Sequence, residues 1–187
     1  MTTKEKIIEA LLVLASEKGT NNTSMSEIAE AVGITKSSLY FYFPSKDAML
    51  QEMYESFRAK EKKPSSFDPS ASVAELLCER LHRYIAMATK GRMAKVFRII
   101  ENEKLIDPTA EKLYLQETHL MLEDSASFFR TLEKVRGFSI PNVEETSHLY
   151  ALYAHELVLL SIMGDLDEEE MKKRIVFFVN RFMEEKL

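Results

Sequence analysis

Two Glu-x-x-His pairs, Glu79 with His82 and Glu145 with His148, are the residues whose types and spacing first suggest chemistry. Helical di-metal carboxylate bundles use that motif on facing helices, with the ligands projecting inward. A step of about 100° per residue sets Glu79 and His82 roughly 140–160° from the stripe of Val73, Leu77, Leu81, Tyr84 and Ile85, so both are expected to face solvent. The lone Cys78 excludes an intramolecular disulfide and every Cys-based zinc site, and is expected to pack as a small apolar side chain. No Gly-rich phosphate loop, His-Glu-x-x-His or Gly-x-Ser-x-Gly occurs in the sequence. No metal, no cofactor and no enzymatic activity are expected.

A different chemistry is written in GITKSSLYFYFPSKDAM, Gly33 to Met49, where hydroxyls, lysines and aromatics crowd between a glycine and a proline. Such side chains reach phosphate oxygens and base edges, the two kinds of contact that DNA recognition uses. Met25 can open a helix-turn-helix of about 20 residues. Ile28, Val32, Ile34 and Leu39 then take the apolar places, Ala29 is the small residue where the helices touch, and Gly33 supplies the positive-φ turn. The second helix shows Lys36, Ser37, Ser38, Tyr40 and Tyr42 around one buried Leu39, as a recognition helix entering the major groove would. Phe43 is expected in the core.

The elements that must position these residues are helical. Apolar residues recur at helical spacing along nearly the whole chain, so the expected fold is all-α, with about nine helices. The 187 residues are 45% hydrophobic and 29% charged, with five glycines and five prolines, which excludes a disordered or collagen-like chain. Ser24 with Glu27 and Ser72 with Glu75 read as capping boxes, Thr35 and Ser45 as N-caps, and Pro44 ends the short helix through Tyr42. KKPSSFDPSAS, residues 62–72, reads as a linker. Asp107-Pro108 opens a long helix that Gly137 closes, Asn142 with Glu145 starts the helix 143–163, and Asp167 with three glutamates opens the helix 168–186.

Net charge is −5, so a nucleic-acid partner must be met by a local face of lysines and neutral donors rather than by a global basic field. Leu149 to Met163, the longest nearly apolar stretch, contains His155 and Glu156 and is shorter than the roughly 20 residues of a membrane span. The N-terminus lacks the zones of a signal peptide, and a cytoplasmic protein without membrane contact is expected.

SEIAEAVGITKSSLYFYFPSKDAML, with its LY, a further aromatic pair and SK opening the fourth helix, resembles the N-terminal hallmark of the TetR family of transcriptional repressors. The resemblance is close over about the first 50 residues and beyond them extends to length and helical plan. It implies an N-terminal three-helix helix-turn-helix DNA-binding domain, 1–47, and a C-terminal helical effector-binding and dimerisation domain, 48–187. It assigns Lys36, Ser37 and Ser38 to groove and base contacts, Tyr40, Tyr42 and Lys46 to phosphates, Ser26 to the DNA backbone, and counts Thr35 with them. Lys46 also lies in the first turn of a helix, where free N–H groups favour phosphate. Phe41 followed by Tyr42 departs from relatives that carry a histidine in one of those places.

The resemblance further implies a homodimer through the last two helices, 143–163 and 168–186, a double-stranded DNA operator and a small-molecule effector. Both helices are apolar over more of their girth than a monomer's surface helix requires, which fits either that interface or burial in the domain's own core. Three carboxylates are expected to point inward: Glu117 and Asp124 on the stripe that includes Met121, and Glu156 with Tyr153. They suggest internal pairing with Arg98, Arg130 or another arginine, the rim of the dimer interface, or a pocket for a lipophilic, cationic effector. The alternative function is a helical small-molecule-binding or metal-dependent enzyme with a vestigial DNA-binding head.

Overall fold

The computed structural model describes residues 1–61, 68, 70–137 and 139–186. All regular structure among them is helical: α1 (Thr3–Lys18), α2 (Met25–Val32), α3 (Lys36–Tyr42), α4 (Lys46–Glu61), α5 (Val73–Thr89), α6 (Gly91–Glu103), α7 (Pro108–Arg136), α8 (Val143–Met163) and α9 (Glu168–Lys186). Most of the expected linker, residues 62–67 and 69, lies outside the described residues. The chain forms two compact units, Met1–Lys63 with Lys90–Gln116, and Pro64–Thr89 with Glu117–Leu187. The expected boundary between 47 and 48 is not a boundary of these units, because α4 and α6 pack on α1.

In the first unit α1 opens with a further reciprocal cap: the Thr2 hydroxyl accepts from the Glu5 N–H, and the Glu5 carboxylate accepts from the Thr2 N–H. Its Ile7, Ile8, Leu11, Leu12 and Ala15 are buried. Met49, Leu50, Met53 and Tyr54 of α4 and Met93, Val96, Phe97, Ile99 and Ile100 of α6 complete the interior. Each such side chain stabilises the unit by about 1.5–3 kcal/mol when fully buried. Helices of eight and seven residues, α2 and α3, are too short to persist alone, so this packing holds them.

In the second unit α5 packs on α8 and α9. Leu77, Leu81 and Ile85 of α5 are buried, and the same unit holds an aromatic cluster in which Tyr150 stands edge-on to Phe129 at 5.3 Å and tilted to Phe182 at 5.8 Å, a geometry that favours ring pairs. Ser72 and Glu75 form the expected reciprocal cap of α5, and Asp167 accepts from the Glu170 N–H at the start of α9. Asn142 corrects an expectation. It precedes α8 at φ 49°, and its side chain makes no capping bond. A capping side chain needs the extended backbone that Ser24 and Thr35 adopt. The Thr146 hydroxyl instead donates to the Pro141 carbonyl. No helix among the described residues is long and apolar enough to cross a membrane.

Candidate nucleic-acid interface

The helix-turn-helix forms as its local chemistry requires. The Ser24 hydroxyl accepts from the Glu27 N–H, and the Glu27 carboxylate accepts from the Ser24 N–H at 2.8 Å. Lys18 Nζ donates to the same carboxylate, tying the end of α1 to the first turn of α2. The Lys18 bond first, and the Ser24 donors after it, hold the Glu27 carboxyl down at about 2. Gly33 then takes the left-handed conformation, φ 74° and ψ 33°, and its N–H donates to the carbonyls of Ala29 and Glu30. The Thr35 hydroxyl caps α3 by accepting from the Ser38 N–H at 3.1 Å.

Leu39 and Phe43 anchor α3 in the core. A step of about 100° per residue puts Phe41 diametrically opposite this pair, with Ser37 and Ser38 beside it, Lys36 and Tyr40 along one edge and Tyr42 along the other. Thr35, Lys36, Ser37, Ser38, Tyr40 and Tyr42 are all exposed, as is Ser26 in the first turn of α2. Phe41 is 86% exposed, more than Tyr40 or Tyr42, and its ring stands edge-on to Tyr42 at 5.5 Å. The family resemblance assigns Phe41 no role, and its place opposite Leu39 and Phe43 in the helical step is the signal that marks it. Thr35 and Ser38 hydroxyls lie 2.9 Å apart and orient one another.

Lys46 is placed differently from these. It is half-buried in the first turn of α4, and its ammonium donates to the Thr20 carbonyl at 2.5 Å. One donor of three is thereby occupied within the protein. Ser45 caps α4 by accepting from the Ala48 N–H.

The five residues read as an effector site lie in the second unit and do not share one environment. Glu117 and Met121 are buried. The inward orientation expected of Asp124 and Glu156 is corrected, for both are exposed. Asp124 binds Arg80, whose guanidinium lies over the Phe128 ring at 4.7 Å; this is the arginine pairing, with a partner from α5 that helical periodicity cannot reveal. Tyr153 stacks on Phe178 with centroids 3.9 Å apart, and its hydroxyl donates to the Arg174 carbonyl. Burial pushes the Tyr153 phenol up.

Of the Glu-x-x-His pairs, Glu79, Glu145 and His148 are exposed. His82 is half-buried rather than solvent-facing, with Nδ1 2.9 Å from the Cys78 carbonyl one helical turn back. Cys78 is also half-buried, which raises its thiol pKa. Among the described residues no three His, Cys, Asp or Glu side chains are grouped as a metal ion would need.

Residues 7–53 match the family described as bacterial regulatory proteins, tetR family. In sequence the chain is similar to the HTH-type transcriptional regulator YuxN of Bacillus subtilis (strain 168), 52% identical over 54 residues, 28% of this chain and 19% of that protein. It is also similar to the biofilm operon icaADBC HTH-type negative transcriptional regulator IcaR of Staphylococcus aureus (strain Newman), 43% identical over 49 residues, 26% of each chain. The match thus spans about a quarter or less of these curated relatives. In fold it is similar to a transcriptional regulator from Rhodococcus sp. Rha1, with TM-score 0.76, 17% identity and coverage of 99% and 98% of the two chains. The flavonoid-responsive regulator FrrA superposes with TM-score 0.74 at 26% identity, covering 98% of this chain and 96% of FrrA.

Proposed function

We propose, from its membership of the TetR family of bacterial regulatory proteins, that the chain is a one-component transcriptional repressor that binds a palindromic operator as a homodimer and leaves it when a small molecule binds. The observation that carries this reading is the outer face of α3, where Lys36, Ser37, Ser38, Tyr40 and Tyr42 stand exposed on a helix pinned by Leu39 and Phe43. Lys36, Ser37 and Ser38 meet base edges, while Tyr40, Tyr42, Lys46 and Ser26 meet phosphates. Repression is favoured by the name of IcaR, a negative regulator. Such a protein works in the cytoplasm, where its operator is, and has no catalytic step.

The dimer forms through α8 and α9, which leave Leu149, Leu152, Val176 and Phe177 exposed. Two heads bind together only when their recognition helices are about one DNA turn, roughly 34–36 Å, apart. An effector acts by preferring a dimer with another spacing. The buried Glu117 beside apolar α7 residues supports a lipophilic cation as effector. Glu117→Gln is expected to weaken binding of a cationic dye, and unchanged binding removes that choice of ligand.

Fluorescence anisotropy with the DNA upstream of the chain's own gene, against scrambled DNA and from low to moderate salt, tests the whole reading. Saturable binding that prefers the upstream fragment and weakens with salt is expected. A folded dimer with no preference between any genomic fragment and scrambled DNA at any salt would refute it.

A further inference from the structure

We infer that Glu103, a buried residue in the last turn of α6, is a positioning residue for the phosphate-binding lysine, acting on Lys46 through Thr20. Glu103 Oε1 accepts from the Thr20 backbone N–H at 2.6 Å, and Oε2 accepts from the Thr20 hydroxyl. One carboxylate therefore captures both donors of one residue and fixes it in the connection between α1 and α2. The carbonyl of that same residue accepts from Lys46 Nζ at 2.5 Å and from the Thr23 N–H at 3.0 Å. Thr20 is clamped on its donor side by α6 and clamps Lys46 with its acceptor side.

Gly19 makes the approach possible. A Cβ at this position would lie 2.9 Å from Glu103 Oε1, closer than side-chain carbons come to oxygen, and φ at Gly19 is +83°. A carboxylate taken out of water is tolerated when its oxygens are bonded, and here both are. The effect reaches the lysine as preorganisation. A free lysine loses its rotamer freedom when it binds phosphate, whereas Lys46 has one ammonium donor held in the unbound protein and two left to turn outward. The assignment of Lys46 to phosphate rests on the function proposed above; the clamp on Lys46 does not.

The test uses the full chain with Glu103→Gln, Lys46→Met, the double variant and Thr20→Val, which removes the hydroxyl donor but keeps the N–H. An amide presents one acceptor where the carboxylate presents two. Operator affinity by anisotropy is expected to fall about 5- to 10-fold in Glu103→Gln, in line with the loss of a charge-assisted contact. The log–log salt slope is expected to fall by about one in Lys46→Met and to move in the same direction in Glu103→Gln. Coupling decides between positioning and mere structural support: the double variant binds no more weakly than Lys46→Met alone. Full additivity, or wild-type affinity and slope in Glu103→Gln, overturns the inference. If Glu103→Gln does not fold by circular dichroism, the same coupling is read with Thr20→Val. Nuclear magnetic resonance of the Lys46 ammonium without DNA separates the two readings. Should the wild type bind no DNA, the regulator reading fails, and the clamp is supported by an ammonium signal that Glu103→Gln abolishes and overturned by one that it leaves intact.

Discussion

The phenol of Tyr150 donates to the backbone carbonyl of Leu77 at 2.6 Å, joining α8 to α5 across 73 residues of sequence. Burial in the aromatic cluster pushes this phenol far up from its ordinary range. Tyr150→Phe keeps the ring and deletes the bond. Leu77 lies within a helix and keeps its α-helical acceptor role, so the cost is expected to be about 1 kcal/mol rather than that of an orphaned polar group. Urea unfolding of the variant and the wild type measures it; an unchanged midpoint would show that the bond is not made in solution.

Glu27 has a folded value of about 2 against an ordinary 4.5, held down first by Lys18 and then by Ser24. Because the folded value is the lower one, these bonds add stability above about pH 4.5, and that contribution is lost as pH falls from there through about 2. Lys18→Met is expected to raise the Glu27 midpoint more than Ser24→Ala does. Carboxyl chemical shifts followed through an acid titration give both, and a wild-type midpoint at 4.5 would refute the pairing.

On α3 two neighbouring aliphatic or aromatic positions should behave oppositely. Leu39→Ala empties a fully buried site and is expected to cost about 2–5 kcal/mol of stability. Phe41→Ala, at 86% exposure, should change stability by no more than about 0.5 kcal/mol while weakening operator binding several-fold. Lys36→Ala should likewise lose DNA affinity without losing fold. Thermal melts paired with anisotropy separate these outcomes; a destabilised Phe41→Ala would mean that its ring packs on the protein.

A charge on the exposed face of α9 should separate the proposed dimer. Phe177→Glu is expected to shift the chain to monomer in sedimentation velocity at micromolar concentration, with its helix content retained, because Phe177 is 69% exposed and contributes little to the unit's own core. A monomeric wild type would refute the proposed dimer, and a dimer that tolerates this charge and Leu152→Glu together would place its interface elsewhere.

The sequence legibly marks the head. Gly33, Pro44, Ser24 with Glu27, and Thr35 act within four residues of themselves, and each forms the turn or cap that its type requires. Asn142 failed as a cap because its left-handed backbone carries the side chain away from the first helical N–H groups, and residue type alone does not report that. The carboxylates divide in the same way. Glu117, Asp124 and Glu156 all share stripes with apolar residues, yet only Glu117 is buried, since α7 and α8 have wider covered and uncovered faces than a single stripe resolves.

Helix type, most helix ends and the register of the helix-turn-helix were determined by the sequence itself, because hydrophobic period, capping and positive-φ turns are short-range physics. Tertiary structure alone decided which side chains meet across the chain. Arg80 takes Asp124 from 44 residues away, Tyr150 reaches Leu77, and Glu103 closes on Thr20 across 83 residues, beside a glycine that leaves it room. Such pairings follow from the packing of whole helices, and no local spacing encodes them.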